Sequence, residues 1–161
     1  MTNLRIGHGY DIHRLQPGGE LVMGGVVVAQ GISTVAHSDG DVVMHALVDA
    51  ILGAIGKGDI GEHFPDTDPQ WSGAASSLFL EYAVQLAGEA GYRVTNADVS
   101  VQAERPKLKP FKSSIAKTLS DLLGASVNVK AGTNEGCDAV GRGEAVAATA
   151  VVLLIASQVS G

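Results

Sequence analysis

The sequence predicts an α+β domain in which helices cover one face of a mixed β-sheet, a β-α-β-α-β-β core with an extra N-terminal hairpin. Three observations carry that expectation. Alternating or continuous apolar runs open and close the chain. Between them lie three segments with helical periodicity. The connections are short enough for one α+β domain, and no repeat or linker divides residues 1–161 into two units.

Leu4 to His13 reads as the opening strand. Gln16-Pro17-Gly18-Gly19 is turn chemistry, and Leu21 to Val28 reads as a hairpin or short strand pair broken by Gly24-Gly25. From Asp39 to about Lys57, residues Val43, Ala46, Leu47, Ala50, Ile51 and Ala54 recur at three and four, the period of a helix buried along one face. Ser38, with Asp41 three residues on, resembles a capping box. The Pro-, Asp- and Ser-rich run from Phe64 to Ser77 reads as a loop, and Ser77 to Ala90 as a helix stopped by Gly91. Tyr92 to Gln102 alternates as a strand, Pro110 to Leu123 reads as a helix ended by Gly124, and Ser126 to Ala131 is a further strand. The last strand, Glu144 to Ala156, is so apolar that its second face also calls for cover, and oligomerisation is the simplest way to supply it.

A chain of 161 residues buries roughly 70% of the surface its unfolded form exposes, so it needs no disulfide or structural metal to fold. Its composition, 45% hydrophobic and 17% charged, is that of a globular protein. With 4% aromatics, its core rests on Val, Leu, Ile and Ala. A net charge of −6, a pI near 5.2 and no dense Lys/Arg run argue against a nucleic-acid partner. The longest apolar stretch, Ala145 to Ala156, falls short of the ~20 residues of a membrane span, and no membrane partner is expected. One cysteine, Cys137, implies no disulfide framework, and with no visible targeting segment the expected location is cytoplasmic.

Strand alternation puts Asp11 and His13 on one face and His8 on the other, which excludes His8 from any site they form. A strand Asp–His hydrogen bond explains that pair as well as metal ligation does. In the helix, Asp41, His45 and Asp49 fall at i, i+4, i+8 on one face, so His45 either pairs with Asp41 or adds a second imidazole to Asp11 and His13. Two imidazoles and one carboxylate leave a fourth tetrahedral position open, the arrangement of catalytic zinc. His37 and Ser38 precede that helix, where free N–H groups favour an anion. Asp59, His63, Asp66 and Asp68 can take hydroxyl groups or a cation, or form a solvated acidic loop. Thr133, Glu135 and Arg142 sit among glycines that let backbone approach a ligand. There is no GxxxxGK[ST], so this is not a P-loop.

Taken in order, "RIGHGYDIH", "AHSDGDVVMHALVDAILGAIGKGDIGEHFPDTDP", "ERPKLKP", "NVKAGTNE" and "GRGE" closely resemble the 2-C-methyl-D-erythritol 2,4-cyclodiphosphate synthase family of the non-mevalonate isoprenoid pathway. The resemblance spans nearly the whole chain. It implies a homotrimer whose sheets pack around a threefold axis, with active sites between subunits. It also implies one zinc ion per subunit on Asp11, His13 and His45, and a second divalent cation, Mg2+ or Mn2+, on Glu135 bridging the substrate phosphates. By the same resemblance His37 and Thr133 are catalytic, holding the reacting phosphate in the transition state. Asp11 and His13, with Ser38, Asp59, Ile60, Gly61, Phe64, Pro65, Asp66, Thr67 and Asp68, bind the methylerythritol 2-phosphate end. Ala103, Pro106, Lys107, Leu108, Gly132, Thr133, Asn134, Glu135, Ala139 and Arg142 bind towards the cytidine diphosphate end.

The implied reaction converts 4-diphosphocytidyl-2-C-methyl-D-erythritol 2-phosphate to the 2,4-cyclodiphosphate and CMP, the 2-phosphate attacking the β-phosphorus. Two rivals share the same residues: a zinc phosphohydrolase, and a non-catalytic trimer that binds isoprenoid diphosphates. Many relatives carry a hydroxyl residue at Gly132, a Lys at Gly136 and a bulky aromatic at Ala139, and this chain lacks all three side chains.

Overall fold

The computed structural model describes residues 3–157. The elements run β1 (Leu4–Met23), β2 (Val26–Thr34), α1 (Val42–Ile55), α2 (Ile60–His63), a 3-10 turn (Pro69–Trp71), α3 (Ser76–Glu89), β3 (Tyr92–Gln102), α4 (Lys112–Leu123), β4 (Ser126–Gly132), α5 (Asp138–Gly141) and β5 (Ala145–Ala156). The strands form one mixed sheet in the order β2-β1-β5-β3-β4. Only β3 and β4 are parallel, joined by α4 as the crossover that parallel neighbours require.

Hairpin and opening strand are one element. Gln16 to Gly19 does not turn the chain; Gly18 and Gly19 take φ of 87° and 76° at a register shift between Pro17 and Glu20, a bulge within the 20-residue β1. The reversal comes at Gly24-Gly25, where φ of 57° and 75° make a two-residue turn of the kind whose twist suits a hairpin. The loop expectation from Phe64 to Ser77 is also refined, because that run holds the 3-10 turn and follows the short α2.

The long helices α1, α3 and α4 lie on one side. Val146, Ala148, Ala150, Val152 and Leu154 of β5 pack with Leu47, Ile51, Leu80, Ile115 and Leu119 of the helices into one core. Alternation sends Leu4, Ile6, Tyr10 and Ile12 of β1, with Val151 of β5, to the other side, where Ile6 is 72% and Tyr10 53% exposed. At the far end of that face α5 covers Ala145 and Ala147 with Val140.

Candidate metal centre and the clefts beside it

Gly7, Gly9, Asp11 and His13 share the helix-facing side of β1. A Cβ on Gly7 would lie 1.7 Å from the Ala50 carbonyl oxygen, and one on Gly9 1.9 Å from that of Ala46. The glycines therefore admit the backbone of α1; they do not clear room for a ligand. One step further along the same face, Asp11 and His13 meet His45, the residue before Ala46.

The start of α1 is fixed by Asp41, not by Ser38. Its carboxylate caps the helix by accepting from Val43 N and Met44 N, and it also accepts Gly24 N at 2.9 Å and Gly25 N at 2.7 Å. One buried side chain thus ties the hairpin turn to the helix. Burial pushes the Asp41 carboxyl up, against the pull of the Gly25, Gly24 and Met44 N–H groups. Asp49 points elsewhere and accepts Ile60 N at 2.7 Å, so neither aspartate of α1 joins His45.

The three remaining groups converge. Asp11 Oδ2 lies 2.9 Å from His13 Nε2 and 3.2 Å from His45 Nδ1, and the two ring nitrogens are 3.3 Å apart. Burial raises the Asp11 carboxyl, but hydrogen bonds and charge from His13 and His45 outweigh it and hold it at about 2. The hydrogen bond to Asp11 in turn raises His13 above its usual value. The donor set suits a divalent metal of borderline softness: one carboxylate oxygen and two imidazole nitrogens, with the cavity on the open side. The outward nitrogens are already engaged, His13 Nδ1 with Val35 O at 3.2 Å and His45 Nε2 with Ser76 Oγ at 2.8 Å. A carbonyl can only accept, so His13 carries its Nδ1 proton there and turns Nε2 to the cluster.

The cluster opens into a cavity of about 540 Å³. Its lining gathers His37, Ser38, Ile60, Gly61, Phe64, Pro65, Asp66 and Thr67, all expected from the sequence, and adds Val35, Ala36, Trp71 and Phe79, which were not. Phe64 stacks on Phe79 with centroids 4.3 Å apart, and Trp71 meets Phe64 edge-on at 5.0 Å, making an apolar wall that adjoins the polar cluster, Phe79 lying 6.1 Å from the His45 ring. Phe79 falls inside the segment read as a helix, and no local signal marks it or Trp71 for the cavity. Asp59 and Asp68 do not line the cavity. Asp59 caps α2 through Glu62 N; Asp68 caps the 3-10 turn, and its carbonyl accepts from His37 Nε2 at 3.2 Å.

A second cleft, about 360 Å³, forms where β3 and β4 end. Ala103, Pro106, Lys107, Leu108, Gly132 and Thr133 line it, as the sequence led us to expect, with Lys109 and Lys112 beside them. Glu135, at φ 51°, accepts from the Thr133 hydroxyl at 3.2 Å, and Asn134 donates to Asp138. Ala139 packs on the Val140 cluster, and Arg142 forms two hydrogen bonds with Glu144, so neither is brought to the cleft.

The two cavities share no lining residue. His13 pairs with Val146, Ala147 with Gln102, and Gln102 with Gly132, which puts three strand spacings, about 14 Å, between the two sites.

Residues 4–155 match the YgbB family. The chain is 52% identical over 154 residues to the chloroplastic 2-C-methyl-D-erythritol 2,4-cyclodiphosphate synthase of Arabidopsis thaliana, covering 94% of this chain and 67% of that one. It is 50% identical over 157 residues to the synthase of that name from Thioalkalivibrio sulfidiphilus, covering 96% and 98%. Among solved structures it resembles the bifunctional IspDF from Campylobacter jejuni, with TM-score 0.93, 38% identity and coverage of 97% of this chain and 43% of that one. It also resembles the CDP complex of IspF from Plasmodium falciparum, with TM-score 0.85, 35% identity and coverage of 98% and 99%.

Proposed function

The chain belongs to the YgbB family, and from that premise we propose that it is a phosphorus–oxygen lyase that converts 4-diphosphocytidyl-2-C-methyl-D-erythritol 2-phosphate to 2-C-methyl-D-erythritol 2,4-cyclodiphosphate and CMP. The observation that carries this reading is the Asp11/His13/His45 cluster at the mouth of a cavity with one polar and one aromatic side. In the reaction an oxygen of the 2-phosphate bonds to the β-phosphorus, the bond from that phosphorus to the oxygen of CMP breaks, and no water is consumed. A phosphate monoester with a second pKa near ~6 is largely dianionic at neutral pH, so no strong base is needed. Orientation is the larger task, and holding both ends of one flexible substrate can supply up to ~7–11 kcal/mol of the barrier.

Asp11, His13 and His45 would hold zinc, and Glu135, exposed beside Thr133, a magnesium or manganese ion. Bound there, the cations neutralise phosphate charge as it builds up in the displacement. The chain's own groups do the rest. His37 and Thr133 would hold the reacting phosphate, and Ser38 the 2-phosphate. Ile60, Gly61 and Phe64 to Thr67 close around the methylerythritol carbons, the aromatic wall taking the apolar side, while Asp59 and Asp68 shape that loop by capping. Lys107, exposed in the second cleft, meets the cytidine diphosphate with Ala103, Pro106, Leu108, Gly132 and Asn134. Ala139 and Arg142 shape the segment that follows.

What supports an oligomer is the exposed apolar stripe of β1 and β5, which is suited to burial between copies. A homotrimer on a threefold axis would bring the metal cavity of one subunit to the lysine cleft of its neighbour. Among the described residues no helix is long and apolar enough to cross a membrane. The cytoplasm, a reducing compartment, accords with one exposed thiol at Cys137.

Incubation with the cytidine diphospho substrate tests the reaction. Cyclic diphosphate with equimolar CMP is expected, whereas open-chain phosphates carrying solvent oxygen would establish the hydrolase instead.

A further inference from the structure

We propose that Asp39 and Ser76 are positioning residues for the metal ion: the Asp39 carboxylate orients the Ser76 hydroxyl, and that hydroxyl fixes His45 in the tautomer whose Nδ1 is free to ligate. The proposal rests on the metal reading of the Asp11/His13/His45 cluster. It begins with one proton. A serine hydroxyl has a single hydrogen, and Ser76 gives it to Asp39 Oδ1, which can only accept. The Ser76 oxygen is then left to accept, and His45 Nε2 lies 2.8 Å from it. His45 therefore carries its proton on Nε2, and Nδ1 presents a lone pair to Asp11 and His13.

The surroundings hold this direction in place. Asp39 is pinned by two backbone donors, Ser76 N at 3.0 Å on Oδ2 and Asp41 N at 3.2 Å on Oδ1. Ser76 is fully buried and His45 is 8% exposed, so water does not readily replace the hydroxyl. Ser38 Oγ is a longer second acceptor for Nε2, at 3.2 Å, and already takes Gly40 N. The alternative proton placement, on Nδ1, would aim a hydrogen at the ion. Outer partners that fix a ligand's tautomer in this way typically change metal affinity 10–100-fold when removed.

The test is zinc affinity of the full chain, read by competition with a chromophoric chelator, for the native protein, Ser76→Ala, Asp39→Asn and the double variant, with thermal melts to establish folding. Ser76→Ala should weaken zinc binding about 10–100-fold. Asp39→Asn should weaken it in the native background and add nothing in the Ser76→Ala background, because Asp39 acts through the hydroxyl. An Asp39→Asn cost that is the same in both backgrounds marks a pure charge effect and overturns the proposal, as does native affinity in Ser76→Ala. Native protein that takes up no zinc overturns the metal reading itself. If Ser76→Ala does not fold, nitrogen NMR of zinc-loaded Asp39→Asn decides. Faster solvent exchange of the His45 Nε2 proton supports the relay, and native exchange overturns it.

Discussion

The metal cavity and the lysine cleft would receive opposite ends of one ligand, and they are built in opposite ways. The cavity is assembled from sequence-distant pieces locked together: β1 against α1 through Gly7 and Gly9, the hairpin against α1 through Asp41, and α3 through Ser76 and Phe79. Its imidazoles are held by protein acceptors before any ligand arrives, His13 Nδ1 by Val35 O and His45 Nε2 by Ser76 Oγ. The cleft is one run of chain, 103–112, beside the end of β4, in which Lys107 and Lys109 are exposed, and its lysines are not engaged by any acceptor among the described residues. What the contrast teaches is a division of labour. On the proposed reading, geometry is set in advance where phosphate chemistry would be placed, while the nucleotide side would rely on charge and on closure by a second subunit.

The largest expected effect breaks the cavity at its centre. His45→Ala should leave a folded protein without zinc and cut CMP release by on the order of a thousandfold, since a metal supplies several kcal/mol and each 1.36 kcal/mol is tenfold; metal analysis beside a CMP assay checks both. Retained turnover in that variant would remove zinc from the site.

Separating the two cavities comes next. Ile6→Glu places a carboxylate on the open face, where Ile6 is 72% exposed in one chain. Sedimentation should then show monomers that keep their zinc yet lose cyclisation by more than about a hundredfold, through lost positioning. Full activity in a monomer would mean that one chain suffices.

Gly9→Ala attacks the cavity from behind. Its methyl collides with a backbone oxygen rather than a yielding side chain, so the cost should reach about 3 kcal/mol, the upper end for overpacking. Denaturant melts measure it, and zinc affinity should fall with it because His45 moves away from Asp11.

Lys107→Ala sharpens the other side. It removes a cation expected to meet phosphate, about 1.5–3 kcal/mol, so KM should rise about tenfold or more with zinc content unchanged. A fall in zinc content instead would show that the two sites are not separable.

The smallest effect is of pH. A metal must displace the proton whose affinity for His13 Asp11 raises, so zinc binding should weaken below the raised value, at most about tenfold per pH unit. The metal-free protein should show the reverse trend. The Asp11–His13 pair contributes its full stability between the unfolded values of 3.8 and 6.5. It loses that contribution as pH rises through the raised value of His13, and as pH falls towards the value of about 2 at Asp11. Melting curves of chelator-treated and zinc-loaded protein from pH 4 to 8 read both trends.

Much of this was legible in the chain alone. Period-two alternation put Asp11 and His13 on one side of β1 and exposed His8 on the other, and the three-and-four spacing delivered α1 with His45 inside it. Those are properties of neighbouring residues, set by backbone geometry that does not depend on the rest of the fold. Tertiary structure decided which faces meet. It made Gly18-Gly19 a bulge rather than a turn, because β2 keeps pairing on both sides of it, Ile32 with Pro17 and Gln30 with Glu20. It gave the helix cap to Asp41 instead of Ser38 by bringing the N–H groups of Gly24 and Gly25 to the same carboxylate. It also set Ser76, Trp71 and Phe79 at the cavity, and it put β5, from the far end of the chain, between the strands that carry the two sites. Strand order and helix docking are settled by total burial across the chain, and no local window of sequence contains that sum.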